Sequence, residues 1–237
     1  MPARLIYLLG CDGSGKSTVA EHTKQYLEAK NRTVCVVWAT LRPVILWPIN
    51  KVAKFLFVRK HNKFDNYTEH IKAKKKGVQR FQFLLKPLLY LSFLDYYPQY
   101  IWKVVRVDVK CDDLICDRYY FDMLIERAIM LNIRPDSFPN WIMQYGRFFR
   151  KPDLALYLRT SPEVAIQRKT DIPSEEYLQE RMLYYEVMAQ VLQAHVIDGN
   201  QPLSTVLAQV RECIDNLDHP LLSNARSREL REPTINE

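Results

Sequence analysis

Apolar residues along this chain of 237 residues fall into two rhythms, short continuous runs and longer stretches with helical spacing. Five runs enriched in β-branched and other apolar side chains, at residues 5–9, 33–38, 113–116, 154–158 and 196–198, predict buried strands. Between the first two, residues 16–30 place Val19, Ala20, Thr23, Tyr26, Leu27 and Lys30 on one repeating face, predicting an amphipathic helix stopped at Asn31. Ser161-Pro162-Glu163 is a helix start: Ser caps, Pro suits the first turn, and an acid meets the positive end of the dipole. Ser174-Glu175-Glu176 repeats the device and opens a longer helix through Met182, Tyr185 and Met188. Strands alternating with helices predict an α/β fold, a parallel sheet of five strands covered on both faces.

Composition supports one such domain over residues 1–217, followed by a polar tail over 218–237 without apolar periodicity. Hydrophobic residues make up 48% and charged residues 26%, enough for a sizeable core, which excludes a disordered or collagen-like chain. No internal repeat, low-complexity tract or Gly/Ser linker divides it. Five scattered cysteines without a CxxC pair argue against a disulfide framework or zinc site, which suits a reducing cytoplasmic setting. The first apolar run reaches Gly10 too soon for a secretory leader, and residues 83–102 are interrupted by Lys86, Pro87, Asp95 and Pro98, so no membrane span is expected.

Glycine is scarce, 6 residues in all, and Gly10, Gly13 and Gly15 account for half of them. They lie in Gly10-Cys11-Asp12-Gly13-Ser14-Gly15-Lys16-Ser17, which matches GxxxxGK[ST] between the first strand and the first helix. In such a loop, backbone N–H groups and the helix N-terminus converge on a phosphate, and glycine lets the backbone curl around it. Lys16 would reach the β- and γ-phosphate oxygens of a nucleotide and the Ser17 hydroxyl would ligate Mg²⁺. A second signal is Cys116-Asp117-Arg118-Tyr119, where a strand ends in an acid suited to the Mg²⁺ shell and a base suited to a phosphate or charged acceptor.

With these motifs the chain resembles the thymidylate kinase family. Further pieces follow in that family's order: Lys151-Pro152-Asp153-Leu154 opening a strand, Ser161-Pro162-Glu163-Val164-Ala165-Ile166-Gln167-Arg168 as the lid entrance, and Ile197-Asp198-Gly199 as the last strand and turn. The resemblance covers roughly residues 4–38 and 95–215. It implies a three-layer P-loop NTPase fold and an ATP- and Mg²⁺-dependent phosphotransferase with a nucleoside monophosphate acceptor, dTMP first. The residues it implies are Asp12, Gly13, Ser14, Gly15, Lys16, Ser17 and Thr18 around the nucleotide and Ser17 with Asp117 at the metal. Asp12, Arg118, Arg42 and Tyr96 would face the acceptor. Because this P-loop lacks an arginine, a short lid over 168–176 would supply the transition-state cation, Arg168 with Lys169 beside it. Lys16, Asp117, Arg118 and Arg168 form the expected catalytic set.

Three departures concern the acceptor. Where the family shows an Asp-Arg pair before its DRY strand, with the arginine on the acceptor, this chain has Asp95-Tyr96. Arg42 is the candidate for the family's other acceptor arginine, in unlike surroundings. After DRY, the hydroxyl residues and glutamine near the base give way to Tyr120-Phe121-Asp122-Met123-Leu124-Ile125-Glu126. Losing an arginine favours an alcohol acceptor, such as a sugar or lipid-linked hydroxyl, with Asp12 or Asp117 as base. A third reading is a nucleotide-binding regulatory or adaptor protein.

The net charge of +7 is concentrated: residues 41–110 carry 15 Lys and Arg against 4 Asp and Glu, along with 13 aromatics. The expectation is a helical cover over the acceptor cleft. Peripheral contact with an anionic membrane and a homodimer are the other partner readings, and nucleic acid is disfavoured.

Overall fold

The structure, a computed structural model, describes residues 2–39 and 94–218. Five strands, β1 (Arg4–Leu9), β2 (Val34–Val37), β3 (Asp113–Asp117), β4 (Leu154–Arg159) and β5 (His195–Asp198), form one parallel sheet in the order β2-β3-β1-β4-β5. All five predicted strands are present, with no end displaced by more than one residue. The register places Leu8 opposite Asp117 and Leu9 opposite Tyr157, so the loops after β1 and β3 emerge side by side at the carboxyl edge of the sheet.

Helix α1 (Lys16–Glu28) follows the P-loop, and α2 spans residues 94–108 among the described residues. Helices α3 (Tyr120–Leu131), α4 (Phe138–Gly146), α5 (Pro162–Arg168), α6 (Glu175–Val191) and α7 (Leu203–Asp218) complete the sequence. Alternation along β1 sorts the core into two layers. Ile6 and Leu8 pack with Val19, Ala20 and Leu27 of α1 and with Val206, Val210 and Ile214 of α7. Leu5, Tyr7 and Leu9 face the opposite layer with side chains of α2, α3, α4 and α6. The three-layer architecture expected from the alternating pattern is therefore the observed one.

Local chemistry sets several boundaries. Ser161 and Ser174 cap their helices as expected, accepting from the backbone N–H of Val164 at 3.5 Å and of Tyr177 at 3.2 Å. Helix α1 ends at Glu28, earlier than expected; Asn31 supplies a left-handed turn after it (φ 61°) and Lys30 lies outside the helix. The chain is helical up to Asp218, so the first residue assigned to the tail belongs to α7, and the rest of the tail lies outside the described residues.

Helix α2 contains Pro98, which lacks an N–H for the helical ladder, and a π-turn follows at Ile101–Val105. This is the described part of the basic aromatic stretch. Tyr96 and Tyr100 face the core, whereas Tyr97 and Trp102 are exposed. Residues 41–93, including Arg42, lie outside the described residues. Among the described residues no helix is long and apolar enough to cross a membrane.

Candidate active site

The P-loop curls between β1 and α1 as its glycines allow. Gly13 sits at φ 81°, and a Cβ built there would lie 2.4 Å from the carbonyl oxygen of Ala165, so both torsion and close approach require glycine. Gly15 adopts the left-handed conformation (φ 89°) as the residue before α1. The buried Lys16 ammonium turns back into this curl, donating to the carbonyl oxygens of Gly10 at 2.8 Å and Cys11 at 2.6 Å and to Ser14 Oγ at 3.3 Å. Burial and the nearby Arg118 guanidinium hold its pKa below the usual 10.5, with Asp122, Asp117 and Asp12 opposing them. A phosphate entering the loop offers this cation an anionic partner in place of neutral carbonyls.

At the start of α1 the Ser17 hydroxyl donates to Asp117 Oδ2 at 2.5 Å, joining the P-loop to the end of β3. Two hard oxygen ligands thus stand side by side next to the lysine. Among the described residues there is no group of three or more metal-ligating side chains. The pair fits a cation that takes oxygen ligands and keeps other positions for water and phosphate, which is Mg²⁺ rather than zinc. Thr18 is exposed at the same helix end, and Ser14 in the preceding loop is buried.

Arg118 is the hinge of the site. Its backbone is left-handed (φ 78°), a conformation that costs a side-chain-bearing residue about 1 kcal/mol or more and clusters at functional positions. Its guanidinium pairs with Asp12 of the P-loop and lies 3.8 Å from Asp122 Oδ1. Burial disfavours its charge, but Asp122, Tyr185 and Asp12 more than offset this and raise its pKa above the ordinary value. Asp12 is also approached by Lys169 Nζ at 3.8 Å and accepts from the Tyr177 hydroxyl at 3.2 Å. Burial pushes the Asp12 carboxyl up, yet Arg118, Lys16, Lys169 and Tyr177 together pull it below 3.8.

Behind Arg118 lies a part of the site that the sequence pattern did not assign. Asp122, buried in the first turn of α3, accepts from the hydroxyls of Tyr7 at 2.8 Å and Tyr185 at 2.6 Å and from the Tyr119 backbone N–H at 2.8 Å. Burial first, then the Asp122 charge, raises both tyrosines well above their usual pKa, so they remain neutral donors. This arrangement ties β1, α3 and α6 together beneath the arginine. Arg118 and Asp122 are four residues apart, but Arg118 precedes α3 in a left-handed conformation, so no helical spacing announced their approach.

The lid residues reach the P-loop from the other side. Arg168 Nη1 donates to the Gly199 carbonyl at 2.9 Å and stands 4.0 Å from the position of a Cβ on Gly15. Lys16, Ser17, Asp117, Asp12, Arg118, Arg168 and Lys169 are therefore gathered at one edge of the sheet. Tyr96 is not in this group: it is 2% exposed and its hydroxyl accepts from Arg127 Nη2 at 2.7 Å. The Tyr96 hydroxyl, expected to face the acceptor, is instead engaged by an arginine on the neighbouring helix.

Comparison with known proteins agrees with this geometry. The sequence model described as thymidylate kinase matches residues 9–210. A probable thymidylate kinase 2 from Saccharolobus solfataricus is 26% identical over 242 residues, covering 91% of this chain and 99% of the relative. A thymidylate kinase from Caldicellulosiruptor saccharolyticus is 24% identical over 229 residues, covering 92% and 98%. A probable thymidylate kinase 1 from Saccharolobus solfataricus is 25% identical over 219 residues, covering 89% and 96%.

Proposed function

Because the chain belongs to the thymidylate kinase family, phosphotransferases acting on nucleoside monophosphates, we propose that it transfers the γ-phosphate of ATP, with Mg²⁺, to dTMP. The observation that carries the choice of acceptor is the state of the two carboxylates. Asp12 is neutralised by Arg118 and Lys169 with its pKa lowered, and Asp117 already accepts from Ser17. Neither is arranged as a base for an alcohol. A monophosphate acceptor is itself anionic at neutral pH and needs cations rather than a base, and this edge of the sheet is lined with cations.

In this reading Lys16 and the P-loop amides hold the β- and γ-phosphates of ATP. Ser17 and Asp117 would hold Mg²⁺, which when bound would offset the negative charge of the donor phosphates. Arg118 keeps Asp12 and turns its remaining N–H donors to the acceptor phosphate, while Asp122 holds its guanidinium in place. Arg168 and Lys169 supply positive charge over the transferring group as the lid segment 168–176 closes over Gly15. Arg42 remains the second acceptor-phosphate candidate. A sugar or lipid kinase would require Asp12 freed from three partners.

The test is transfer of label from γ-labelled ATP in the presence of Mg²⁺ to nucleoside monophosphates, nucleosides, sugars and a lipid extract. Labelled dTDP is the expected product. Label in a hydroxyl acceptor, with none in any nucleotide, would replace this reading.

A further inference from the structure

We propose that Cys35 and Cys111 form a modification site, a dithiol that closes to a reversible disulfide at the expense of a small-molecule disulfide. The site lies apart from the phosphate chemistry and does not depend on it. All five cysteines are free thiols. Cys35 lies on β2 opposite Leu114 of β3, and Cys111 lies in the turn between α2 and β3. The two backbones are stitched together at this point. The Thr33 carbonyl oxygen accepts from the N–H groups of Asp112 at 2.8 Å and Asp113 at 3.2 Å, and the Thr33 N–H donates to Asp112 Oδ2 at 2.7 Å. Both thiols are half-buried against the core layer that holds Leu5, Tyr7 and Leu114. There the Cys35 thiol is a side-chain hydrogen-bond partner of Cys111, whose Sγ also donates to the Val107 carbonyl oxygen at 3.5 Å.

Two thiols in contact can take a soft metal or exchange with a disulfide. A structural zinc site needs four ligands, and among the described residues no group of three or more metal-ligating side chains assembles. The pair is therefore suited to thiol–disulfide exchange. Its competitors are set apart: Cys11 and Cys116 are buried, and Cys213 on α7 packs against the opposite core layer.

The surroundings order the steps. Burial, then the hydrogen bond and charge of Cys35, push the Cys111 thiol up to about 12, so it keeps its proton and leaves the first attack to Cys35. Cys35 loses its proton to solvent and its thiolate attacks one sulfur of the small disulfide, breaking that S–S bond and expelling one thiolate. Cys111 then gives up its proton and attacks the Cys35 sulfur, expelling the second thiolate. The protein dithiol loses two electrons and two protons, and the small disulfide gains both to become two thiols. The bridge ties β2 to the turn before β3. Just beyond β2 the Ala39 N–H donates to the Arg118 carbonyl oxygen at 3.3 Å, so the bridged strand leads to the acceptor corner.

The experiment equilibrates the full chain, as wild type, Cys35→Ser, Cys111→Ser and Cys213→Ser, with mixtures of oxidised and reduced glutathione. Thiols are then trapped with acid and N-ethylmaleimide, and intact mass and unreduced tryptic peptides are read, with the fold of each variant verified by circular dichroism. The wild type should lose two hydrogens and join peptide 33–51 to peptide 111–118 through Cys35 and Cys111, and excess reduced glutathione should separate them again. At about 1 mM reduced glutathione the bridge should be half formed at an oxidised-to-reduced ratio about tenfold below that which half-modifies Cys213, because its closure is intramolecular. Cys213→Ser should behave as the wild type, whereas Cys35→Ser and Cys111→Ser should lose the joined peptide and Cys111→Ser should retain glutathione on Cys35. Glutathione on Cys35 and Cys111 separately without a joined peptide would overturn the proposal. So would a bridge to Cys116 or between two chains, or an unmodified pair in a wild type whose Cys213 reacts. The wild-type peptide map decides this even where a serine variant fails to fold.

Discussion

Replacing Asp122 by alanine tests the idea that the acceptor corner is held from beneath. The substitution strands the Tyr7 and Tyr185 hydroxyls and the Tyr119 N–H, which now meet one carboxylate at 2.6–2.8 Å, and leaves the half-buried Arg118 one anion short. Each buried donor left without a partner costs about 1–3 kcal/mol, and breaking a buried charge pair costs about 3–5 kcal/mol. These terms overlap, and some groups will find water, so the expected loss is about 3–5 kcal/mol. Tyr185→Phe removes one donor and leaves Asp122 its other partners, so its loss should be about 1 kcal/mol. The assay is urea unfolding followed by circular dichroism and by tyrosine and tryptophan fluorescence, with equal slopes required for comparison. A loss below about 1 kcal/mol for Asp122→Ala would refute the reasoning, because mere surface substitutions change stability by that little. The Tyr185→Phe enzyme should keep most of its kcat while its KM for the acceptor rises.

Two further predictions concern the same corner. Arg118→Gly and Arg118→Ala should both lose acceptor affinity, but the glycine variant should be the more stable by about 1 kcal/mol, because only it relaxes the left-handed backbone at φ 78°; equal urea midpoints would contradict this. Asp12 has a folded pKa below 3.8, so its contribution to stability is present above that value and is lost as pH falls through the lowered one. The stability advantage of the wild type over Asp12→Asn should therefore be constant at neutral pH and shrink below about pH 4, and a gap that widens there would contradict the pairing with Arg118 and Lys169.

The strands and the P-loop were legible because their signals are local: an apolar run, a cluster of glycines and a lysine in fixed spacing. Helix α3 was not, since residues 120–125 are all buried and such a continuous run carries no amphipathic period. Asp122 stood out only as a departure from the family pattern. Its partners Tyr7 and Tyr185 lie 115 and 63 residues away, a proximity that only the parallel sheet and the packing of α6 create. Tyr96 shows the same limit: the sequence marks an absent arginine, and only the fold pairs the Tyr96 hydroxyl with Arg127, 31 residues further on. The left-handed Arg118 was equally hidden, because nothing in its residue type favours that backbone.

The central claim is that Lys16, Ser17, Asp117 and Arg118 together carry phosphoryl transfer to a nucleoside monophosphate. Its most direct measurement is label transfer from γ-labelled ATP to dTMP with Mg²⁺, run beside a Lys16→Ala protein whose fold is verified by circular dichroism. The account predicts labelled dTDP from the wild type and none above background from the variant. An active Lys16→Ala protein, or a wild type that labels a sugar or lipid and no nucleotide, would contradict it.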